Sequence, residues 1–387
     1  MKTSSFKLSL IIALSVSVAL LAGCGKNDSY SQAEGKVNVV TSFYPLYFFA
    51  KEIGGEHAHV VNLIAAGVEP HEWTPKSRDL DAASKAQLFL YNGAGLEGWV
   101  DGFLKGLGAG SQVLTVEASK GIELIQGNPE HDHEHKGEDG HGHEGEEGAE
   151  DGHGHEGEEG AEDGHGHEGE EGAEDGHGHE GEEGAEENHD DEHEGEAGGE
   201  AHDGEEPGHS HSDLDVDPHT WTSPRSALVM AANILDAFVQ VDPANRTAYE
   251  SNYSKLESKL RELDDKFTKE LSGYERRDIV VSHQAFGYLA RDYKLNQIAI
   301  MGLSPEAEPR AQDLLEIAKF VKENGIPYIF FEELVSQQLA DTLAREAKVD
   351  TLVLNPLEGL TSEQEKAGEN YFTLMERNLE NLQKALQ

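Results

Sequence analysis

The sequence predicts an α/β protein of two parallel-sheet lobes joined by one long helix, with a disordered His- and Glu-rich insertion in the first lobe. Three observations carry that expectation. Short apolar runs alternate with stretches of helical period in both halves of the chain, the pattern of βαβ units. A single long amphipathic stretch lies between the halves. Between residues 130 and 213 the composition changes to one that cannot build a core.

The chain begins with Lys2 and Lys7 ahead of an apolar run, Leu8 to Leu21, that ends in Leu21-Ala22-Gly23-Cys24. A short apolar run closed by small residues before a cysteine is the pattern of a bacterial lipoprotein signal. It is too short to span a bilayer comfortably. Cys24 is the only cysteine, so it serves neither an internal disulfide nor a thiolate metal site. The expectation is removal of 1–23, lipid on Cys24, and a polar tether over 24–36 at the outer face of the cytoplasmic membrane.

The first lobe is expected over 37–129. "VNVVTSF" (37–43) reads as a buried strand and "PLYFFAKEIGGE" (45–56) as a helix ended by Gly54-Gly55. "VVNLIAAG" is a second strand, "SRDLDAASKA" (77–86) a helix opened by a capping Ser77, and "QLFLYNG" a strand. "LEGWVDGFLKGL" is a helix and "QVLTVEAS" a strand.

The insertion follows. "GHGHEGEEGAED" occupies 140–151 and recurs at 152–163 and 164–175, then at 176–187 with a final Glu. From 130 to 213 there are 35 acidic residues against one lysine, so this stretch carries −34 of the chain's −46. It holds 16 of the 21 histidines and no aromatic residue, and Leu and Val are absent until Leu214 and Val216. Such a segment buries too little apolar surface to offset the entropy of ordering its backbone. Its repeat has no hydrophobic face to stack into a solenoid.

Without leader and insertion about 280 residues remain, which suits two lobes rather than one core. Residues 214–242 return to the first lobe. In 243–274, Tyr249, Tyr253, Leu256, Leu260, Leu263 and Phe267 step by three and four, so this stretch is the linking helix. The second lobe, 275–387, repeats the scheme. Strands are expected in "RDIVVSH", "NQIAIMGL", "IPYIFFEEL" and "DTLVLNPL", and helices in "QAFGYLARDY", "PRAQDLLEIAKFVKENG", "SQQLADTLAREAK" and the closing "NYFTLMERNLENLQKALQ".

Five histidines lie outside the insertion. His71 follows the second strand in "GVEPHEWTPK", His219 precedes a helix in "DVDPHTWTSP", and His283 ends a strand in "VVSHQAFGYLA". Open α/β sheets bind ligands beyond the carboxyl ends of their strands. Imidazole is a preferred zinc ligand, and a carboxylate can complete a tetrahedron. Glu358 in "NPLEGL" is the candidate carboxylate. Taken alone, a histidine is more often a structural hydrogen-bonding group than a ligand, and His57 and His59 in "GGEHAHV" keep that role.

"GVEPHEWTPK", "DPHTWTSP", "SHQAFGYLARDYKL", "GLSPEAEPR" and "LNPLEGLT", in that order, resemble the zinc-binding receptor proteins of bacterial ABC importers, the ZnuA/AdcA type. The resemblance runs from Val37 to Gln387 and includes the acidic His-rich insertion. It implies metal in a cleft between the lobes, held by His71, His219, His283 and Glu358, and a monomer that delivers zinc to a membrane permease. Three imidazoles and one carboxylate favour zinc over the harder manganese. The repeat then reads as an accessory, in which His141, His143, His153, His155, His165, His167, His177 and His179 offer weaker auxiliary metal sites.

Other function classes remain for comparison. A zinc hydrolase needs an open coordination position, and neither H-E-x-x-H nor G-x-S-x-G occurs in the chain. An enzyme is therefore not expected. Metal storage through the repeat and surface adhesion are the alternatives. So acidic a chain is not drawn to nucleic acid or anionic lipid by electrostatics.

Overall fold

The computed structural model describes residues 32–108, 110–127, 215–305 and 309–387. The expectations for the leader, for lipid at Cys24, for most of the tether, for a disordered 130–213 and for metal at the repeat histidines lie outside those residues, as do 306–308 of the "GLSPEAEPR" motif.

Each half of the chain forms a four-stranded parallel sheet. The first comprises β1 (Val37–Thr41), β2 (Ala58–Asn62), β3 (Leu88–Tyr91) and β4 (Leu114–Glu117), in the order β2-β1-β3-β4. The second comprises β5 (Asp278–Val281), β6 (Asn296–Ala299), β7 (Tyr328–Phe331) and β8 (Asp350–Val353), in the order β6-β5-β7-β8. Both sheets are covered on both faces, which is why their strands read as apolar runs. The two-residue period of a strand sorts the side chains. Val39, Leu88 and Leu90 face one core while Val40 and Phe89 face a smaller one with Phe103. In the second sheet Ile279, Val281 and Phe330 face the first of these cores, and Val280 and Ile329 face Val321 and Leu343.

The helices begin and end where local chemistry allows. α1 (Tyr44–Gly54) has Pro45 in its first turn and stops at Gly55, whose φ of 52° suits glycine. α2 (Ser77–Ser84) departs from expectation, because Ser77 lies inside the helix rather than capping it. Lys76 holds the cap position, and its backbone N–H donates to Asp79 Oδ2 at 2.7 Å. Asp79, three residues in, thus supplies the carboxylate half of a capping box, while its own N–H bonds to the Lys76 carbonyl at 2.9 Å rather than to a side-chain oxygen. α3 is Val100–Leu107. α4 (Pro224–Val241) is capped by Ser223, whose Oγ accepts from the Arg225 N–H at 3.2 Å.

α5 (Arg246–Leu271) follows a single 3-10 turn at Pro243–Asn245. Its buried side is Tyr249, Leu256, Leu260, Leu263, Phe267 and Leu271, with Tyr253 half-buried. α6 (Gly287–Tyr293), α7 (Ala311–Glu323), α8 (Gln338–Ala347), α9 (Ser362–Ala367) and α10 (Tyr371–Leu386) complete the second half. The short α9 has too few residues to display a period.

α5 packs against α4 and α1 on one side and against α10 and α6 on the other. Polar contacts repeat that bridging. Asn252 Nδ2 donates to the Ile53 carbonyl at 3.1 Å, Tyr293 Oη to Asp264 Oδ1 at 3.0 Å, and Lys266 Nζ to Glu376 Oε1 at 3.0 Å. The main core is continuous across both sheets, with Phe49 of α1 edge-on to Tyr371 of α10 at 5.0 Å between ring centroids. Lobes sharing an apolar core of this extent do not behave as independently moving bodies.

The two chain ends that flank 128–214 meet each other. Gln126 and Val216 form an antiparallel bridge, Gly127 N–H donates to the Asp215 carbonyl at 2.8 Å, and Asp217 N–H donates to the Ile125 carbonyl at 2.8 Å. Removing 130–213 leaves Asn128, Pro129 and Leu214 to close a loop of hairpin length. Closure entropy falls as a loop shortens, by about 0.6 kcal/mol per halving. The deleted protein is expected to unfold in a cooperative thermal transition with a midpoint no lower than the parent's. Loss of cooperativity in calorimetry would show that 130–213 supports the fold.

Candidate metal centre

In each sheet the first strand is central, and the chain passes to one side of it and then to the other. The crevice beyond the carboxyl ends at such a switch point is where open α/β sheets hold ligands. His71 lies in the loop after β2, His283 two residues beyond β5, Glu358 in the loop after β8, and His219 just ahead of α4. One donor atom from each of these four lies within 4.8 Å of all the others. His219, His283 and Glu358 are buried, and the His71 side chain is 5% exposed.

Five of the six spacings among these donor atoms are alike. Nε2 of His219 lies 3.2 Å from Nε2 of His71 and 3.2 Å from Nε2 of His283. Glu358 Oε1 lies 3.4 Å from His71 Nε2, 3.3 Å from His219 Nε2 and 3.5 Å from His283 Nε2. A tetrahedron's edge is about 1.63 times its centre-to-vertex distance, so an ion about 2.0–2.1 Å from each donor would see edges of about 3.3–3.4 Å, the zinc range. Four protein donors close a tetrahedral ion's coordination, an arrangement for holding metal rather than for activating water.

Neighbouring groups fix three of the four donors. Asp217 Oδ1 accepts from His219 Nδ1 at 2.9 Å and from the His219 backbone N–H at 2.9 Å. Glu332, one residue past β7, lies 2.7 Å from His283 Nδ1 and accepts the Ser282 hydroxyl and the His283 backbone N–H. Asn92 Nδ2 donates to the Pro218 carbonyl at 2.9 Å, and Asn92 Oδ1 accepts from Thr220 Oγ1 at 3.2 Å. The Asn92 backbone is held by the buried Glu97 carboxylate at 2.7 Å. On the other side, the Leu357 N–H donates to Asn355 Oδ1 at 2.7 Å, and Leu357 takes a left-handed φ of 60° directly before Glu358. Such a conformation at a branched residue persists only where the surroundings impose it. Trp221 Nε1 donates to the Pro356 carbonyl at 2.7 Å, tying the His219 segment to the Glu358 loop.

Sequence reasoning did not single out Asp217, Glu332, Asn92, Glu97 or Trp221. Asp217 had a signal, an acid two residues before a histidine. Glu332 had a weaker one, because "FFEE" offers two acids at a strand end. His57 and His59 do not join the centre. His57 Nε2 lies 3.8 Å from Glu56, with its ring against Tyr249. His59 sits in β2, and its buried Nε2 lacks a hydrogen-bond partner among the described residues, so the hydrogen-bonding role expected of it is not met at that atom.

Burial disfavours charge on all three deepest groups, yet their partners outweigh it. Burial lowers the His219 pKa, but hydrogen bonds to Asp217 and Glu358 raise it above the ordinary histidine value. Burial lowers that of His283 too, but Glu332 and Glu358 raise it well above that value. Burial raises the Glu358 pKa, while His71 and the hydrogen bonds from all three imidazoles hold it well below the carboxylate range. Metal takes the neutral imidazole, so protons on His219 and His283 compete with it. Zinc binding near pH 7 should therefore release protons. The number released should fall toward zero as pH rises through the raised histidine values, and apparent affinity should weaken as pH falls. Titration calorimetry in two buffers of different ionisation enthalpy counts the protons, and zero release at pH 7 would contradict these shifts.

Residues 39–385 match the family model "ZnuA: Zinc-uptake complex component A periplasmic". Over 376 residues the chain is 36% identical to the "Zinc-binding lipoprotein AdcA" of Streptococcus pneumoniae (strain R6), covering 97% of this chain and 60% of that protein's length. It is 33% identical over 383 residues to the "High-affinity zinc uptake system protein ZnuA" of Bacillus subtilis (strain 168), covering 98% of each. Among solved structures, the Zn(II)-bound ZnuA-like domain of S. pneumoniae AdcA superposes with a TM-score of 0.63 at 33% identity, covering 91% of this chain and 99% of that one. With two parallel-sheet lobes, four convergent donors and a match over nearly its whole described length, the chain belongs to the ZnuA family.

Proposed function

We propose that this protein is an extracytoplasmic receptor that captures Zn(II) between its two lobes and passes it to the membrane permease of an ABC importer. His71, His219, His283 and Glu358 are its metal ligands, and zinc is its cargo. The observation that carries the proposal is the set of five donor–donor distances between 3.2 and 3.5 Å around one buried point. Relatives at 36% and 33% identity that are named for zinc binding and zinc uptake support it. Closed coordination by protein donors supports a binding protein over an enzyme.

The lobes are 37–129 with 214–242, and 275–387, joined through 243–274. The protein acts as a monomer tethered by lipid at Cys24 and makes no use of nucleic acid. The 130–213 segment is an accessory whose paired histidines, His141 with His143 through His177 with His179, collect zinc near the cleft. Ordering a flexible chain around metal costs entropy, so each of those sites is weaker than the preorganised centre. Storage through the repeat is the competing function. It separates cleanly, because deletion of 130–213 would abolish storage and leave a receptor with one tight site.

Replacing His71, His219 or His283 with Ala should weaken the tightest zinc site at least tenfold, which is about 1.4 kcal/mol. Glu358→Ala should cost less, since water can take its position. Chelator competition measures both, and parental affinity in any of the three histidine variants would overturn the ligand assignment. Zinc titration of the 130–213 deletion should retain one tight site and lose several weak ones. A deletion protein with no tight site would identify the repeat as the working part.

A further inference from the structure

We infer that Asp217 and Glu332 are positioning residues. Each sets the imidazole tautomer of one histidine so that its Nε2 lone pair points at the metal. The inference rests on the zinc-receptor function proposed above and extends it to residues that cannot touch the ion.

A histidine ligates through a nitrogen that carries no proton, and its other nitrogen must then carry one. Asp217 Oδ1 faces His219 Nδ1 at 2.9 Å, and both Glu332 oxygens lie 2.7 Å from His283 Nδ1. A carboxylate has no proton to give, so in the neutral imidazole that binds metal the remaining proton sits on Nδ1 and the lone pair is at Nε2. Both Nε2 atoms are the ones that converge on Glu358 Oε1. Among the described residues, the imidazole is the only ion-pair partner of either carboxylate, and no Lys or Arg competes for it.

The two carboxylates are also built in place rather than merely nearby. Asp217 is fully buried and Glu332 is 2% exposed. Asp217 fixes backbone and ring of the same residue with one oxygen, while its Oδ2 lies against Gly287, where an added Cβ would come within 2.3 Å of it. The Tyr288 hydroxyl holds the Asp217 carbonyl at 2.7 Å, so the carboxylate in the first lobe's segment is braced from α6 of the second. Glu332 reaches from β7 across to β5 and also holds the Ser282 hydroxyl and the His283 N–H. Buried carboxylates whose one ion-pair partner is an imidazole are costly to keep. Partners that orient a metal's histidines account for that cost, and removing such partners typically weakens metal binding about 10–100-fold.

The test uses the full chain carrying Asp217→Asn, Glu332→Gln or, as a control, His219→Ala. The amides keep shape and hydrogen-bonding capacity. Each removes the negative charge that holds the Nδ1 proton, and its oxygen, still needed by the backbone N–H of the same histidine, is a weaker acceptor for the ring. Three quantities are read: zinc affinity by chelator competition, the visible spectrum of the Co(II) form, and the unfolding midpoint of the metal-free protein. Both amide variants should bind zinc about 10–100-fold more weakly. Their tetrahedral Co(II) bands should weaken, and the metal-free midpoint should stay at or above the parent's.

Affinity within about threefold of the parent in both amide variants, with His219→Ala weakened, overturns the positioning role and leaves the receptor standing. A lost affinity that comes with a lowered metal-free midpoint in both variants assigns the two carboxylates to fold stability, and also overturns it. Parental affinity in His219→Ala removes the receptor function and this inference together.

Discussion

Trp221 is the pin of this molecule. Its indole is fully buried, edge-on to Phe43 at 4.6 Å between centroids, and its N–H is spent on the Pro356 carbonyl while its own carbonyl accepts the Tyr371 hydroxyl at 2.8 Å. Pro356 lies two residues before Glu358, and Trp221 two residues after His219. One side chain therefore sets the distance between a donor of each lobe. It can do so because the core around it runs unbroken through both sheets and α5, so the two crevice walls belong to one packed body.

That rigidity gives the donor distances their meaning. Imidazole nitrogens and a carboxylate oxygen held a little over 3 Å apart repel unless a cation or protons lie among them. The fold nevertheless brings His71, His219, His283 and Glu358 together, and it reinforces the arrangement with Asp217 and Glu332, two more buried carboxylates. The strain is distributed over backbone anchors, such as the left-handed Leu357 and the Asn355–Asn378 hydrogen bonds of 2.7 and 2.8 Å behind it. The carboxylates that raise the His219 and His283 pKa values would also strengthen metal binding, because proton and metal seek the same electrons on the same nitrogen.

The segment between 128 and 214 fits the same economy. Its flanks close on each other through the bridge of Gln126 with Val216, and the returning strand leads at once to Asp217 and His219. The stretch between 130 and 213, with its net charge of −34, is thus joined to the fold at a point where the described chain closes on itself.

Local pattern alone determined the strands, most helix limits and the positions of the candidate donors. Strands buried on both faces must be apolar, glycine at positive φ must end α1, and α5 must show its buried stripe, so each leaves a mark in a short window of sequence. The cap of α2 escaped because Ser77 is a residue type that caps helices, and only the backbone shows that the helix already includes it and that Asp79 closes back on the N–H of Lys76. The choice between Glu332 and Glu333 escaped for the same reason. Adjacent residues at a strand end point to opposite sides, and the structure turns Glu332 to His283 and Glu333 to Asn355 and Gln364. Which atoms converge, which carboxylate faces each imidazole, and which buried indole holds the walls together were decided only by the tertiary structure. Apart from Asp217, which lies two residues before His219, those contacts join residues between 49 and 287 positions apart, and a hydrogen bond between distant segments leaves no periodicity for a local pattern to carry.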